Sequence, residues 1–179
     1  MKTYRLGGIL IAKEEISTRV KEMAAEIQKD YAADPVLLIG VLKGSVVFLS
    51  DLMRCMNSSI PVELDFLAVS SYGSSTHSSG IVKITKDLDE EITGRNVLVV
   101  EDIVDTGLTL HYLLNLLRER SPKTIGVCTL LDKPERRRVS VDVTYRGFEI
   151  PDEFVVGYGL DYAGRWRNLP DIHVLRATA

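Results

Sequence analysis

The stretch Val97-Leu98-Val99-Val100-Glu101-Asp102-Ile103-Val104-Asp105-Thr106-Gly107-Leu108-Thr109-Leu110 constrains the fold more than any other part of the chain. Four consecutive apolar, mostly β-branched residues suit a strand buried on both faces, as parallel sheets require. The character then changes abruptly. Glu101, Asp102 and Asp105 bring three carboxylates within five positions, and a Thr-Gly-Leu-Thr turn opens a new apolar-periodic run. In an open α/β sheet the ligand crevice lies beyond the carboxyl ends of the strands. A strand, an acidic edge and a hydroxyl-glycine turn leading into a helix therefore point to a phosphorylated, hydroxyl-rich ligand.

The first turn of a helix leaves backbone N–H groups without partners and carries the positive end of the macrodipole. Gly107 lets the backbone close around a phosphate without a Cβ in the way. Thr106 and Thr109 add hydroxyl donors, so a monophosphate can sit there on neutral donors alone. The upstream carboxylates would repel that phosphate. They suit vicinal sugar hydroxyls, Mg²⁺ holding such hydroxyls, or a proton-accepting role. Taken singly, each residue also fits an ordinary N-cap with acids complementing the dipole. Together, on a hydrophobic strand, they favour a ligand site.

The rest of the chain alternates in the same way. Ile16, Val20, Met23, Ala24, Ile27 and Tyr31 predict an amphipathic helix over 13–31, which Asp34-Pro35 breaks. Strands are expected at 36–41, 62–69, 81–85, 97–100, 125–131, 141–148 and 154–157, and further helices at 46–56 and 108–119. This order indicates βαβ units and a mostly parallel sheet flanked by helices. Both chain ends and the Ser-rich stretch 70–80 fit the alternation poorly and are expected to form a small appended lobe. The tail from Leu160 reads as irregular.

With 179 residues and 45% hydrophobic content, the chain suffices for one well-buried domain. A net charge of −3 provides no global basic field for nucleic acid. Cys55 and Cys128 lie far apart among apolar neighbours and read as reduced thiols. The apolar start Leu6–Ala12 is too short to span a bilayer, so no membrane association is expected and the chain reads as soluble and cytoplasmic. His77, His111 and His173 show no metal-ligand spacing. No Ser-His-Asp set, Walker-type loop or Gly-x-Gly-x-x-Gly fingerprint is present.

Several other segments close strands on the same presumed edge. Leu42-Lys43-Gly44-Ser45 repeats the strand-turn-helix logic, and Lys43 there could hold a second anionic group or simply be solvated. Ser71-Tyr72-Gly73 reads either as a floppy hairpin tip or as a lid that excludes water, anchored by Tyr72. Lys133 ends a strand where it could donate to a ring carbonyl, and the Glu135–Arg138 run reads as a solvated charged face. Phe154 could stack on a planar base, with the main chain of Val155 reading its edge, or be an ordinary core residue. Asp161 could help hold Mg²⁺. Arg165 and Arg167, flanking Trp166, could clamp a polyphosphate or form a surface cation–π pair.

Glu101-Asp102-Ile103-Val104-Asp105-Thr106-Gly107-Leu108-Thr109 resembles the phosphoribosyl-pyrophosphate motif of type I phosphoribosyltransferases. Leu42–Ser45, Ser71-Tyr72-Gly73, Leu131–Pro134 and Ile150–Tyr162 are similar to the 6-oxopurine branch, the hypoxanthine(-guanine) enzymes of the short bacterial type. The resemblance implies one domain over 1–179: a core at about 36–150, a hood from the N-terminal segment and about 151–179, and a mobile lid at about 70–80. It implies purine salvage by transfer of a 5-phosphoribosyl group from 5-phosphoribosyl 1-diphosphate to N9 of hypoxanthine or guanine. Small-molecule substrates, Mg²⁺ and a homodimer or homotetramer belong to the same implication.

Residue roles follow from that resemblance. Glu101 and Asp102 would bind the ribose hydroxyls directly or through Mg²⁺, and Asp105 would be the general base at purine N7. The segment Asp105, Thr106, Gly107, Leu108, Thr109 would cradle the 5′-phosphate. Lys43, Gly44 and Arg167 would contact pyrophosphate, with a cis Leu42–Lys43 peptide. Ser71 and Tyr72 would belong to the lid. Lys133 would donate to O6, Phe154 would stack, Val155 would offer main-chain contacts, and Asp161 would bind a second Mg²⁺. Ser45 departs from a glycine in several relatives, and Leu108 from Lys or Asn in some. A non-catalytic sensor on the same fold, or an enzyme for another base, is the rival reading. The first would be expected to lose Asp105, Tyr72 or Lys133, and the second would not need Lys133.

Overall fold

The computed structural model describes residues 4–32, 34–57, 60–71 and 82–178. A six-stranded sheet runs in the order β4 (Val82–Lys86), β3 (Val62–Ser71), β2 (Val36–Leu42), β5 (Asn96–Val104), β6 (Thr124–Asp132), β7 (Tyr145–Glu149). Every pairing is parallel except that of β4, which lies antiparallel on the edge beside β3. The expected α/β class with a mostly parallel sheet is what forms.

The apolar strands are buried on both faces, and their period-two alternation divides the core. On one face Leu38, Leu98 and Val100 meet Ile16, Val20, Met23 and Ile27 of α1 (Lys13–Asp30) and Phe48, Leu49 and Leu52 of α2 (Val46–Cys55). On the other, Leu37, Ile39, Val97 and Val99 meet Leu110, Leu113, Leu114 and Leu117 of α3 (Leu108–Arg118). Each helix buries the stripe that its 3.6-residue spacing places on one side.

Three elements differ from expectation. The tail from Leu160 is not irregular throughout: β9 (Ile172–Ala177) pairs with β1 (Tyr4–Ile11) and with β8 (Val155–Val156) in a second, antiparallel sheet of order β1-β9-β8. Two register irregularities, one across Gly7 and Gly8 and one between Ile9 and Ile11, break the alternation of β1, which hides it from a pattern search. The strand expected at 141–148 begins only at Tyr145. Val127 N–H is taken by the Thr144 hydroxyl at 3.1 Å, and Val141 and Val143 pack into the α3-side core instead of joining the ladder. Finally, β5 continues through Glu101 and Asp102, so these acids stand on the strand itself. Ser71 closes β3, whereas Tyr72 and the remainder of the expected lid lie outside the described residues.

Candidate active site

Strands β2 and β5 are neighbours, paired from Val36↔Asn96 to Gly40↔Val100. From β2 the chain crosses through α2 to β3 on one side, and from β5 through α3 to β6 on the other. This is a topological switch point, where the loops beyond both strands open on one crevice. Lys43–Ser45 and Asp105–Gly107 are those loops.

Gly107 caps α3 with φ of +81°, a left-handed conformation that favours glycine. A Cβ there would also press on the Val139 carbonyl at 2.9 Å. The helix start has no side-chain cap, apart from a long 3.4 Å contact in which Leu108 N–H approaches the Thr106 hydroxyl. Its first-turn donors therefore border a cavity of about 100 Å³ lined by Glu101, Ile103, Asp105, Thr106, Gly107 and Thr109. Leu108 itself is half-buried.

In the β2 loop the Leu42–Lys43 peptide is cis, and Lys43 is exposed. Ser45 is fully buried and donates its hydroxyl to the Val41 carbonyl at 2.7 Å, so this departure from glycine ties the turn together. Gly44 is wedged between two neighbours. A Cβ on it would overlap the Asp102 carboxylate, and a Cβ on Gly159 would overlap the Gly44 carbonyl.

Glu101 and Asp102 are the electrostatic centre. Burial, and next the Asp102 carboxylate, pushes Glu101 well above the ordinary range. Burial also raises Asp102, opposed by its bond from Ile103 N–H (2.7 Å) and by the Arg167 guanidinium. A buried acid beside a half-buried one, with so little compensating positive charge, fits a divalent cation or a diol. Among the described residues no group of three or more ligating side chains converges on one point. Asp161 is already engaged, with Oδ1 at 2.6 Å from Arg167 and Oδ2 accepting from Gly164 N–H at 2.7 Å. Glu101 and Asp102 are thus the better-placed acids for Mg²⁺, which typically uses few protein ligands together with substrate oxygens.

The Glu101 shift carries a stability consequence. Below the usual Glu value of 4.5, the carboxyl is protonated in folded and unfolded chains alike. As pH rises past it, the unfolded chain ionises first, and stability falls until the folded group ionises too. Glu101→Gln is therefore expected to melt higher than wild type at pH 7.5 without added metal, with the gap closing toward pH 4.5. Differential scanning fluorimetry across that range reads the trend, and a gap independent of pH contradicts it.

A second cavity, about 220 Å³, adjoins the first through Ile103 and Asp105 and is also lined by Asp102, Lys133, Phe154, Val155, Leu160 and Asp161. Lys133 is buried, and that burial lowers its pKa. Its backbone N–H bonds the Val104 carbonyl at 2.9 Å, fixing it beside the phosphate loop. Phe154 is 50% exposed and not a core residue; it stands edge-on to Tyr162, ring centroids 5.6 Å apart, while Val155 is buried. Tyr162 also contacts Tyr4 and Trp166, so both ends of the chain brace this wall. Arg167 also donates to the Gly159 carbonyl at 2.6 Å. A larger cavity of about 570 Å³ lies between α1, α2 and residues 167–170 and touches none of Glu101, Asp102 and Asp105.

The run 135–138 is not simply a solvated face. Arg136 is ion-paired with Asp105 at 2.9 Å, and Arg137 pairs with the buried Asp132, which Arg146 grips from its other oxygen at 2.7 Å. Arg136 meets Asp105 and Asp152, 31 and 16 positions away, so the basic run does not announce its pairing.

Residues 10–163 match the phosphoribosyl transferase domain. The chain is 51% identical over 176 residues to the hypoxanthine-guanine phosphoribosyltransferase of Bacillus subtilis (strain 168), covering 98% of this chain and 97% of that protein. A Bacillus anthracis hypoxanthine-guanine phosphoribosyltransferase, solved with HEPES in its active site, superposes with a TM-score of 0.90 at 46% identity, covering 97% of this chain and 99% of that one. A Staphylococcus aureus hypoxanthine phosphoribosyltransferase gives 0.91 at 44% identity, covering 96% and 92%. With the motif on β5, its phosphate-type turn and a purine-sized cavity beside it, the chain belongs to the hypoxanthine-guanine phosphoribosyltransferase family.

Proposed function

We propose that this chain transfers the 5-phosphoribosyl group of 5-phosphoribosyl 1-diphosphate to N9 of hypoxanthine or guanine, releasing pyrophosphate and forming IMP or GMP. The observation that carries the reading is the junction of the two cavities at Asp105. One is rimmed by the donor-rich start of α3, the other by Lys133, Phe154 and Val155. A 5′-phosphate on the amides and hydroxyls of 105–109 directs its ribose toward Glu101 and Asp102, and a base on that ribose enters the second cavity.

In that arrangement Lys133 donates to O6, Phe154 covers one face of the ring and the Val155 main chain reads its edge. Asp105 accepts the N7 proton, which raises the nucleophilicity of N9. As the bond to pyrophosphate breaks, C1′ becomes electron-poor and negative charge develops on the leaving group. Lys43, Arg167 and the Gly44 backbone would meet it. Mg²⁺ held at Glu101 and Asp102, and at Asp161 if Arg167 releases it, would neutralise further pyrophosphate charge. Residues 70–80, Ser71 and Tyr72 among them, would close as a lid and keep water from C1′. The β1-β9-β8 sheet with the 151–171 segment would form the hood over the core at 36–150.

No helix among the described residues is long and apolar enough to cross a membrane. The cytoplasm is the proposed compartment. A homodimer or homotetramer is expected and is read by sedimentation velocity.

A pyrophosphate-release assay with hypoxanthine, guanine, xanthine and adenine tests the assignment. Hypoxanthine and guanine should turn over. Adenine presents an amino group to the Lys133 donor and should be slower by roughly 10³-fold or more. Equal use of adenine refutes the role of Lys133, and no turnover of any base favours the sensor reading.

A further inference from the structure

The short 3-10 turn Pro134–Arg136 follows directly on Lys133 and is fastened along the phosphate loop. Arg137 Nη1 donates to the Asp105 carbonyl at 2.9 Å, and Arg138 N–H donates to the Thr106 carbonyl at 2.9 Å. From this frame Arg136 extends a single guanidinium to two acids. Its Nε donates to Asp105 Oδ1 at 2.9 Å, and its Nη1 to Asp152 Oδ2 at 3.3 Å. The other Asp152 oxygen lies 3.9 Å from Lys133 Nζ. Four alternating charges thus run from Asp105 to Lys133, the two polar groups at opposite ends of the purine cavity's chemistry.

We propose that Arg136 is a positioning residue for the transfer reaction. It anchors Asp105 through Oδ1, leaving Oδ2, which takes no hydrogen bond among the described residues, as the proton acceptor. Through Asp152 it ties Lys133 to the same frame. This rests on the roles given above to Asp105 and Lys133. Both partners are two-fifths exposed, so the pair adds little to stability and its effect falls on rate. The planar fork is what allows one side chain to hold two carboxylates, a task a lysine ammonium performs less well.

Steady-state kinetics of Arg136→Gln, Arg136→Lys, Asp105→Asn and the Asp105→Asn/Arg136→Gln double variant test the proposal. Arg136→Gln should lower kcat with hypoxanthine by roughly 10- to 100-fold, with donor KM and Tm close to wild type. Arg136→Lys should recover part of that loss. In the Asp105→Asn background the Gln substitution should cost much less, because the main residue it positions is already disabled and only the tie to Lys133 through Asp152 is left to lose. Wild-type kcat in Arg136→Gln overturns the proposal. So does an equal loss in both backgrounds, which marks a merely structural role. An inactive wild-type protein would instead sink the assignment of function, so the two failures are distinguishable.

Discussion

Replacing Asp105 with asparagine is expected to lower kcat by roughly 10²- to 10⁴-fold, the range for losing a positioned proton acceptor. Donor KM should stay near its wild-type value. The substitution is nearly isosteric, and an amide oxygen can still accept from Arg136 Nε, now at 2.9 Å from the carboxylate. The turn keeps its shape, because Gly107 sets its left-handed backbone and Arg137 holds it through the Asp105 carbonyl. What is lost is the capacity to take a proton from N7. Equilibrium binding of the donor, measured by calorimetry beside the kinetics, separates the two. A variant turning over at the wild-type rate removes Asp105 from the chemistry, and one that fails to bind donor assigns it to the phosphate site alone.

The part of this arrangement that is local in sequence is the part that could be read from it. The apolar run before Glu101 and the period of α1, α2 and α3 are local patterns, and the sheet class follows from their alternation. The turn 105–109 was legible for the same reason, since its glycine, hydroxyls and acids are consecutive. Lys133 and Phe154 are single residues whose strand-end positions admit a ligand role or an ordinary one, and the resemblance of the segments around them is what decides between the two. Pairings between distant segments left no such trace. Strands β1 and β9 pair Tyr4 with Ala177, and neither strand's own alternation announces the other. Arg136 reads as one charge in a basic run until Asp105 and Asp152 are brought to it. Asp161 reads as an acid that could help hold Mg²⁺, and only the fold shows that Arg167 and the Gly164 amide also lie on it. Long-range electrostatics, more than secondary structure, is what the chain conceals.

Gly44→Ala is expected to damage donor use severely while leaving the fold in place. A methyl group there would occupy the space of the Asp102 carboxylate. The loop cannot simply retreat, because the Gly44 carbonyl already lies against Gly159, where a Cβ would overlap it. Gly159 has a φ of +99°, so its backbone is committed as well. Ser45 adds a further restraint through its bond to the Val41 carbonyl. The carboxylate must therefore move, and Asp102 is the residue proposed to hold the ribose diol or its Mg²⁺. Crowding of this kind costs about 1–3 kcal/mol of stability, within reach of a domain with cores on both sheet faces. A displacement near 1 Å at a substrate-orienting group costs roughly 10²-fold in kcat/KM. That loss should appear with the donor in excess of purine or the reverse, since ribose placement serves both. Gly159→Ala should reproduce it by pushing on Gly44 from the opposite side, although Gly159 is itself given no substrate contact. A folded Gly44→Ala enzyme with wild-type kcat/KM for the donor would show that Asp102 does not need its present position. The assignment of the ribose site to the end of β5 would then fail with it.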